Sequence, residues 1–152
     1  MQLIGFNFSK INAEKIHALS PSPTVNTNIE FTDVVKDELA LLKDAEVARI
    51  GFRFSVIYHA PSPKKESKEQ EKENPPSDAS VIFEGNLLFA TPKEKLKELL
   101  KHWKKREIPQ EIKIPLFNLI LHHCTTKALE LEEHLSLPPH IPLPQIKPQP
   151  QT

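Results

Sequence analysis

The period of the hydrophobic pattern changes once, near residue 90, and that change constrains the fold more than any other feature of the chain. Before it, apolar residues recur at every second position. Ile4, Phe6 and Phe8 alternate with Asn7 and Ser9, and Val25, Ile29 and Phe31 alternate with Asn26, Asn28, Glu30 and Thr32. Ile50, Phe52, Phe54, Val56 and Tyr58 form the clearest run, against Arg49, Arg53 and Ser55. Val81, Phe83, Leu87 and Phe89 form the fourth, against Glu84 and Asn86. Alternation of this kind predicts strands with one face buried and one face wet, the pattern of an antiparallel sheet. Gly5, Gly51 and Gly85 all fall inside these strands. There an isolated glycine marks a bulge or a close backbone approach, or is simply tolerated on the wet face.

After residue 90 the period becomes helical. Thr91-Pro92-Lys93-Glu94 reads as a helix start, with Thr91 as the cap, Pro92 at the first helical position and Glu94 completing a capping box. Leu96, Leu99, Leu100 and Trp103 then share one stripe, and Pro109 ends the segment. Pro115 is expected to open a second, longer helix reaching Leu135. On it Leu116, Leu119, Ile120, His123, Lys127 and Leu131 recur at helical spacing. Phe117, Leu121, Cys124, Ala128, Leu129 and Leu135 widen the apolar face, which implies partners on more than one side. The tail from Leu137 holds six of the 15 prolines, so it is extended rather than helical, with Ile141, Leu143 and Ile146 to lay against the domain.

The connections differ in kind. Asn12 to Pro23 is too long for a tight hairpin and carries Ile16 and Leu19, which suits a crossing over the sheet. Val35 to Ala45 reads as a loop or a short helical turn around Leu39, Leu41 and Leu42. Pro61 to Asp78 contains no large apolar residue and cannot offset its ordering entropy, so a flexible polar loop is expected at 61–78. The chain of 152 residues is thus expected to form one domain over 1–147, with a disordered tail at 148–152.

Composition excludes several classes of function. Lys+Arg and Asp+Glu balance at 20 each, so no global charge draws the chain to nucleic acid or an anionic membrane. Seven basic residues between Lys93 and Arg106 surround Trp103, but Glu94, Glu98 and Glu107 dilute them. Their plain reading is the outer face of a packed helix, and their functional one a nucleic-acid or membrane surface. One cysteine, Cys124, rules out an intrachain disulfide. That usage, with no basic and apolar leader at the N-terminus and no membrane-spanning run, leads us to expect a cytoplasmic protein without membrane insertion.

His122-His123-Cys124 invites a metal reading, but helical neighbours diverge by about 100° and cannot converge on one ion. No further Cys or His completes a zinc pattern. Nor does anything in the sequence supply a base for Cys124. With no phosphate-binding glycine loop either, we expect no enzyme, no cofactor and no metal. What stands above background is surplus apolar surface: Phe31, Phe52, Phe54, Phe83, Phe89 and the broad second helix. Subunit association consumes such surface, or a binding groove exposes it.

Taken in order, four amphipathic strands, two helices and an extended proline-containing tail resemble the SecB export-chaperone family. Ile114-Pro115-Leu116-Phe117-Asn118-Leu119 resembles that family's Cys-Pro-Asn-Ile-Leu-Phe-Pro helix start. Leu137-Pro138-Pro139-His140-Ile141-Pro142-Leu143-Pro144 looks like its closing segment, and Leu87-Leu88-Phe89-Ala90 is similar to the end of its fourth strand. The resemblance implies an α+β fold, a four-stranded antiparallel Greek-key sheet with two C-terminal helices packed on one face. It implies a homo-oligomer, a dimer of dimers, with first helices near the tetramer interface through Leu96, Leu99, Leu100 and Trp103. It also implies an ATP-independent holdase for unfolded or precursor polypeptides, with a role in protein export. The corresponding groove here would be Ile16 and Leu19 of the crossing with Phe117, Ile120 and Leu121 of the long helix.

The chain departs from the family in its 61–78 insertion, its basic first helix and its few wet-face acids, Glu30 and Glu84. The family docks its motor ATPase through an acidic sheet face, so a toxin–antitoxin partner suits this chain as well as a translocase. Two other readings stay open: an oligomeric scaffold whose apolar surface is wholly consumed between subunits, and a nucleic-acid binder using the basic helix.

Overall fold

The computed structural model describes residues 2–19, 21–37, 46–60, 78–144, 146 and 148. The segments 38–45 and 61–77, expected to be a loop or turn and a flexible loop, lie outside these, as do residues 149–152 of the expected disordered tail. Four strands, β1 (Gln2–Lys15), β2 (Thr24–Asp37), β3 (Glu46–His59) and β4 (Ala79–Thr91), precede α1 (Lys93–Trp103) and α2 (Gln110–His134).

All strand pairs are antiparallel, in the order β1-β4-β3-β2. β2, β3 and β4 therefore lie side by side in sequence order, and β1 closes a Greek key beside β4. The crossing at 16–23 joins opposite edges of the sheet, three strand spacings or about 14 Å apart. It is anchored at its start, where the Ile16 and His17 amides donate to the Asp78 carbonyl.

The alternation places the core. Ile50, Phe52, Phe54, Val56 and Tyr58 of β3 are fully buried, as are Ala79, Val81, Phe83 and Leu87 of β4. They share one cluster with Leu96 and Leu99 of α1 and Leu116, Ile120, Cys124 and Ala128 of α2, so both helices cover the same face.

Two bulges interrupt β1, between Leu3 and Gly5 and between Phe8 and Lys10. The first takes Ile4 out of register with Phe6 and Phe8, leaving it 44% exposed instead of on the buried face. Gly85 marks a close approach. A Cβ there would overlap the Asn7 carbonyl oxygen and sit 2.9 Å from the Phe52 ring. Neither neighbour can retreat without parting β1 from β4, so Gly85→Ala is expected to cost about 2–3 kcal/mol. A urea midpoint unchanged by that substitution would contradict the packing described.

The helix boundaries differ from those the prolines suggest. Pro92, not Thr91, occupies the N-cap of α1, and no side chain caps it. Thr91 instead ends β4, paired with Glu46 and buried, and its hydroxyl meets no hydrogen-bond partner among the described residues. The strand pairing holds Thr91 in place of the capping turn. Likewise α2 starts at Gln110, and Pro115 lies within it. The Pro109 carbonyl accepts from the amides of Ile112 and Lys113, and Ile112 packs on the core beside Ile108. That burial, with the first turn already nucleated, outweighs the one backbone hydrogen bond that Pro115 cannot donate.

Both helices end in the same way. Arg106 and Ser136 adopt left-handed φ of 59° and 54°. In each case the next amide reaches back five residues, Glu107 to His102 and Leu137 to Glu132, closing a Schellman turn that satisfies late carbonyls. The first of these turns aims the α1–α2 connection back toward β2, and the second lays the tail across the end of the sheet.

Candidate functional site

A wide opening lies where the α1–α2 connection overhangs β2. It is a cleft of about 710 Å³. Ile29 and Phe31 line one side. Trp103, Ile108, Pro109 and Phe117 line the other, with Glu30, His102, Arg106, Glu107, Gln110 and Lys113 at its polar margins. Period-2 alternation brings Ile29 and Phe31 to the helix-bearing face, paired with Phe54 and Phe52 of β3. The first turns of α2 deliver Lys113 and Phe117, four residues apart on one face.

The aromatic floor is ordered by contact. Phe31 and Phe117 stack with centroids 5.0 Å apart and ring planes 8° from parallel. Lys113 Nζ sits 5.4 Å from the Phe117 ring and the Arg106 guanidinium 5.2 Å from the Trp103 ring, so two cations lie over two aromatic faces. β2 pairs only with β3, which leaves its other edge open to a further strand among the described residues.

The structure distributes the sequence-derived residues differently from a single trough. Phe117 lines the cleft. Ile120 is fully buried against the sheet and unavailable to a partner. Leu121 is 38% exposed but lies outside the cleft. Ile16, 54% exposed, and half-buried Leu19 belong to the crossing at the other end of α2. There, Lys15 Nζ reaches the Leu135 carbonyl, about 27 Å along the helix from Phe117. The crossing and Phe117 are therefore not brought together. Of the residues read as an interface between chains, Leu96 and Leu99 are sealed in the subunit's own core. Leu100 and Trp103 are half-buried against it, and Trp103 lines the cleft. An apolar stripe satisfied by the sheet beneath it reads in sequence just like one awaiting a partner.

A second polar feature escaped the sequence reading. The buried line of α2, Leu116, Ile120, Cys124 and Ala128, continues to a carboxylate, Glu132. The Glu132 and His140 side chains are each 1% exposed and meet at 2.7 Å between Oε1 and Nδ1. The His140 amide donates to Oε2 at 3.4 Å. Tyr58 donates its hydroxyl to the Pro138 carbonyl at 2.6 Å. Burial, with the Glu132 carboxylate nearby, holds the Tyr58 phenol above its ordinary range. These contacts fasten the tail to the sheet. The only sequence signal was the four-residue spacing, since a glutamate in a run of Leu and Glu ordinarily faces water.

His122 and His123 are exposed with rings 5.6 Å apart and nearly perpendicular, while Cys124 turns into the core. His123 stacks on Phe6 at 4.2 Å. Among the described residues no three His, Cys, Asp or Glu side chains gather closely enough to hold a metal, and no helix is long and apolar enough to cross a membrane. Burial pushes the Cys124 thiol up to about 12. Native Cys124 is therefore expected to resist maleimide at neutral pH and to label only as urea unfolds the chain. Fast labelling of the folded protein would contradict this.

No family model matches the chain, and no curated protein matches it in sequence. Among solved structures it is similar to a SecB-like chaperone of Mycobacterium tuberculosis, determined in complex with a peptide from an antitoxin. The two share 17% identity and a TM-score of 0.46, over 99% of this chain and 92% of that one.

Proposed function

We propose that the protein is an ATP-independent holding chaperone of the SecB kind, which retains unfolded polypeptides without covalent chemistry, cofactor or metal. The cleft carries the reading: an open, aromatic-floored trough beside β2, whose outer edge is unpaired among the described residues. Such a site accepts an extended segment in two ways at once. Main-chain groups of the segment pair along β2, and its large side chains settle over Phe31, Phe117 and Trp103. Main-chain pairing is indifferent to sequence and apolar contact is non-directional, which suits a binder of many clients.

Each large apolar side chain buried contributes roughly 1.5–3 kcal/mol. Several of them offset the ordering of the segment and leave about micromolar affinity per cleft, on the order of −8 kcal/mol. Copies on a symmetric assembly raise the overall grip. A second chain has a place to add at the outer edge of β1, which is unpaired among the described residues and where Ile4 and Ile11 are 44% and 49% exposed. A homo-oligomer, up to a dimer of dimers in the cytoplasm, follows from that reading. Unfolded precursors or an antitoxin segment are suitable clients.

The test is suppression of aggregation of a heat-denatured protein at several-fold molar excess of the chain, without nucleotide. Suppression is expected. Its absence, with a dye that finds no apolar surface on the native assembly, would favour a scaffold whose cleft is filled between subunits.

A further inference from the structure

We infer that the cleft selects acidic segments: extended stretches in which Asp or Glu lies within two residues of a large apolar side chain. This rests on the holding reading and specifies its client.

Two cations stand at the cleft. Arg106 and Lys113 project over the aromatic floor, and among the described residues neither forms a salt bridge. A cation held against a ring keeps its remaining N–H donors directed outward, ready for a carboxylate.

The carboxylates at the cleft do not cancel this. Glu30 also borders the cleft, but strand alternation turns its side chain to the face opposite Ile29 and Phe31, where it accepts from the Asn28 amide at 2.9 Å. Glu107 is exposed and follows Arg106 in the turn, next to Lys104 and Lys105, which are also exposed. Between Lys93 and Glu107 seven basic residues face three acidic ones. The turn that follows α1, Lys104-Lys105-Arg106, therefore gives the approach to the cleft a positive sign.

A neutral apolar segment would bury both cations under itself without compensation, and a basic one would add repulsion. An acidic flank supplies the counter-charge where apolar contact has already excluded water. The selected client is thus set by the sign at the cleft mouth as well as by the grease on its floor.

The test uses two labelled peptides with the same alternating Phe and Leu positions, one with Asp and Glu between them and one with Lys, titrated against the full chain. The acidic peptide is expected to bind about tenfold more tightly at about 50 mM salt, the gap closing toward about 500 mM. Arg106→Glu with Lys113→Glu, shown by circular dichroism to remain folded, is expected to reverse the order. Lys113→Arg is expected to preserve it.

Equal binding of both peptides would overturn the charge selection and leave the holding reading intact. Failure to bind either peptide or a denatured protein would overturn both. Acidic preference surviving the double substitution would place recognition elsewhere and overturn the assignment to this cleft. Retention of single-stranded RNA in preference to either peptide would overturn it in favour of a nucleic-acid face.

Discussion

Truncating Glu132 to alanine is expected to lower the unfolding free energy by about 3–5 kcal/mol. The carboxylate is 1% exposed and receives both His140 contacts, through Nδ1 at 2.7 Å and the backbone amide at 3.4 Å. Its removal strands both donors in a site water does not reach, and His140 Nε2 already meets no partner among the described residues. Glu132→Gln, which keeps an accepting oxygen, is expected to cost distinctly less. Urea denaturation of the two variants checks the ranking. A Glu132→Ala protein as stable as the parent would mean that the tail contributes nothing to the fold.

The neighbouring Tyr58 gives the same region a pH signature. Its phenol is held protonated by burial and by Glu132, so its folded pKa stands above the unfolded value of 10.0. The unfolded chain ionises first. Stability is therefore full below pH 10 and falls as the pH rises from there toward the folded value. Tyr58 is the one tyrosine in the chain, so absorbance of tyrosinate follows the event directly. Tyr58→Phe should lose that share of the alkaline dependence and cost about 1 kcal/mol at neutral pH through the Pro138 hydrogen bond.

Phe117→Ala is expected to weaken binding of an unfolded client by about 30-fold, equivalent to about 2 kcal/mol. Phe117 supplies one ring of the floor and supports the other by stacking on Phe31, so its loss removes contact area and leaves Phe31 free to turn. Leu121→Ala, on the same helix but outside the cleft, is expected to change binding by less than about twofold. Fluorescence titration with a labelled unfolded polypeptide compares the pair. Equal losses at the two positions would mean that clients lie along the outer length of α2.

The sheet was readable because period 2 is enforced by geometry: a strand with one wet face repeats polar residues at alternate positions. The runs at Ile50–Tyr58 and Val81–Phe89 lie on the buried face as their alternation requires. β1 was harder, because a bulge shifts register without leaving a composition signal, and Ile4 looks like Phe6 until its partner strand is known. The cleft was half legible. Phe117 stood out as a candidate, whereas Ile29, Phe31, Arg106 and Lys113 belong to it only because two distant segments meet.

The surplus of aromatic surface expected of Phe52, Phe54, Phe83 and Phe89 is consumed in the subunit's own core. The sequence by itself determined where strands give way to helices and which strand face is apolar. These are properties of neighbours along the chain. Only the tertiary structure decided which apolar residues are spent. Leu96, Leu99 and Ile120 are sealed beneath the helices, Phe31 and Phe117 remain reachable, and Glu132 is drawn inside to hold the tail. The physical reason is that burial depends on what lies opposite a side chain in space, and a linear pattern records only the face from which it projects.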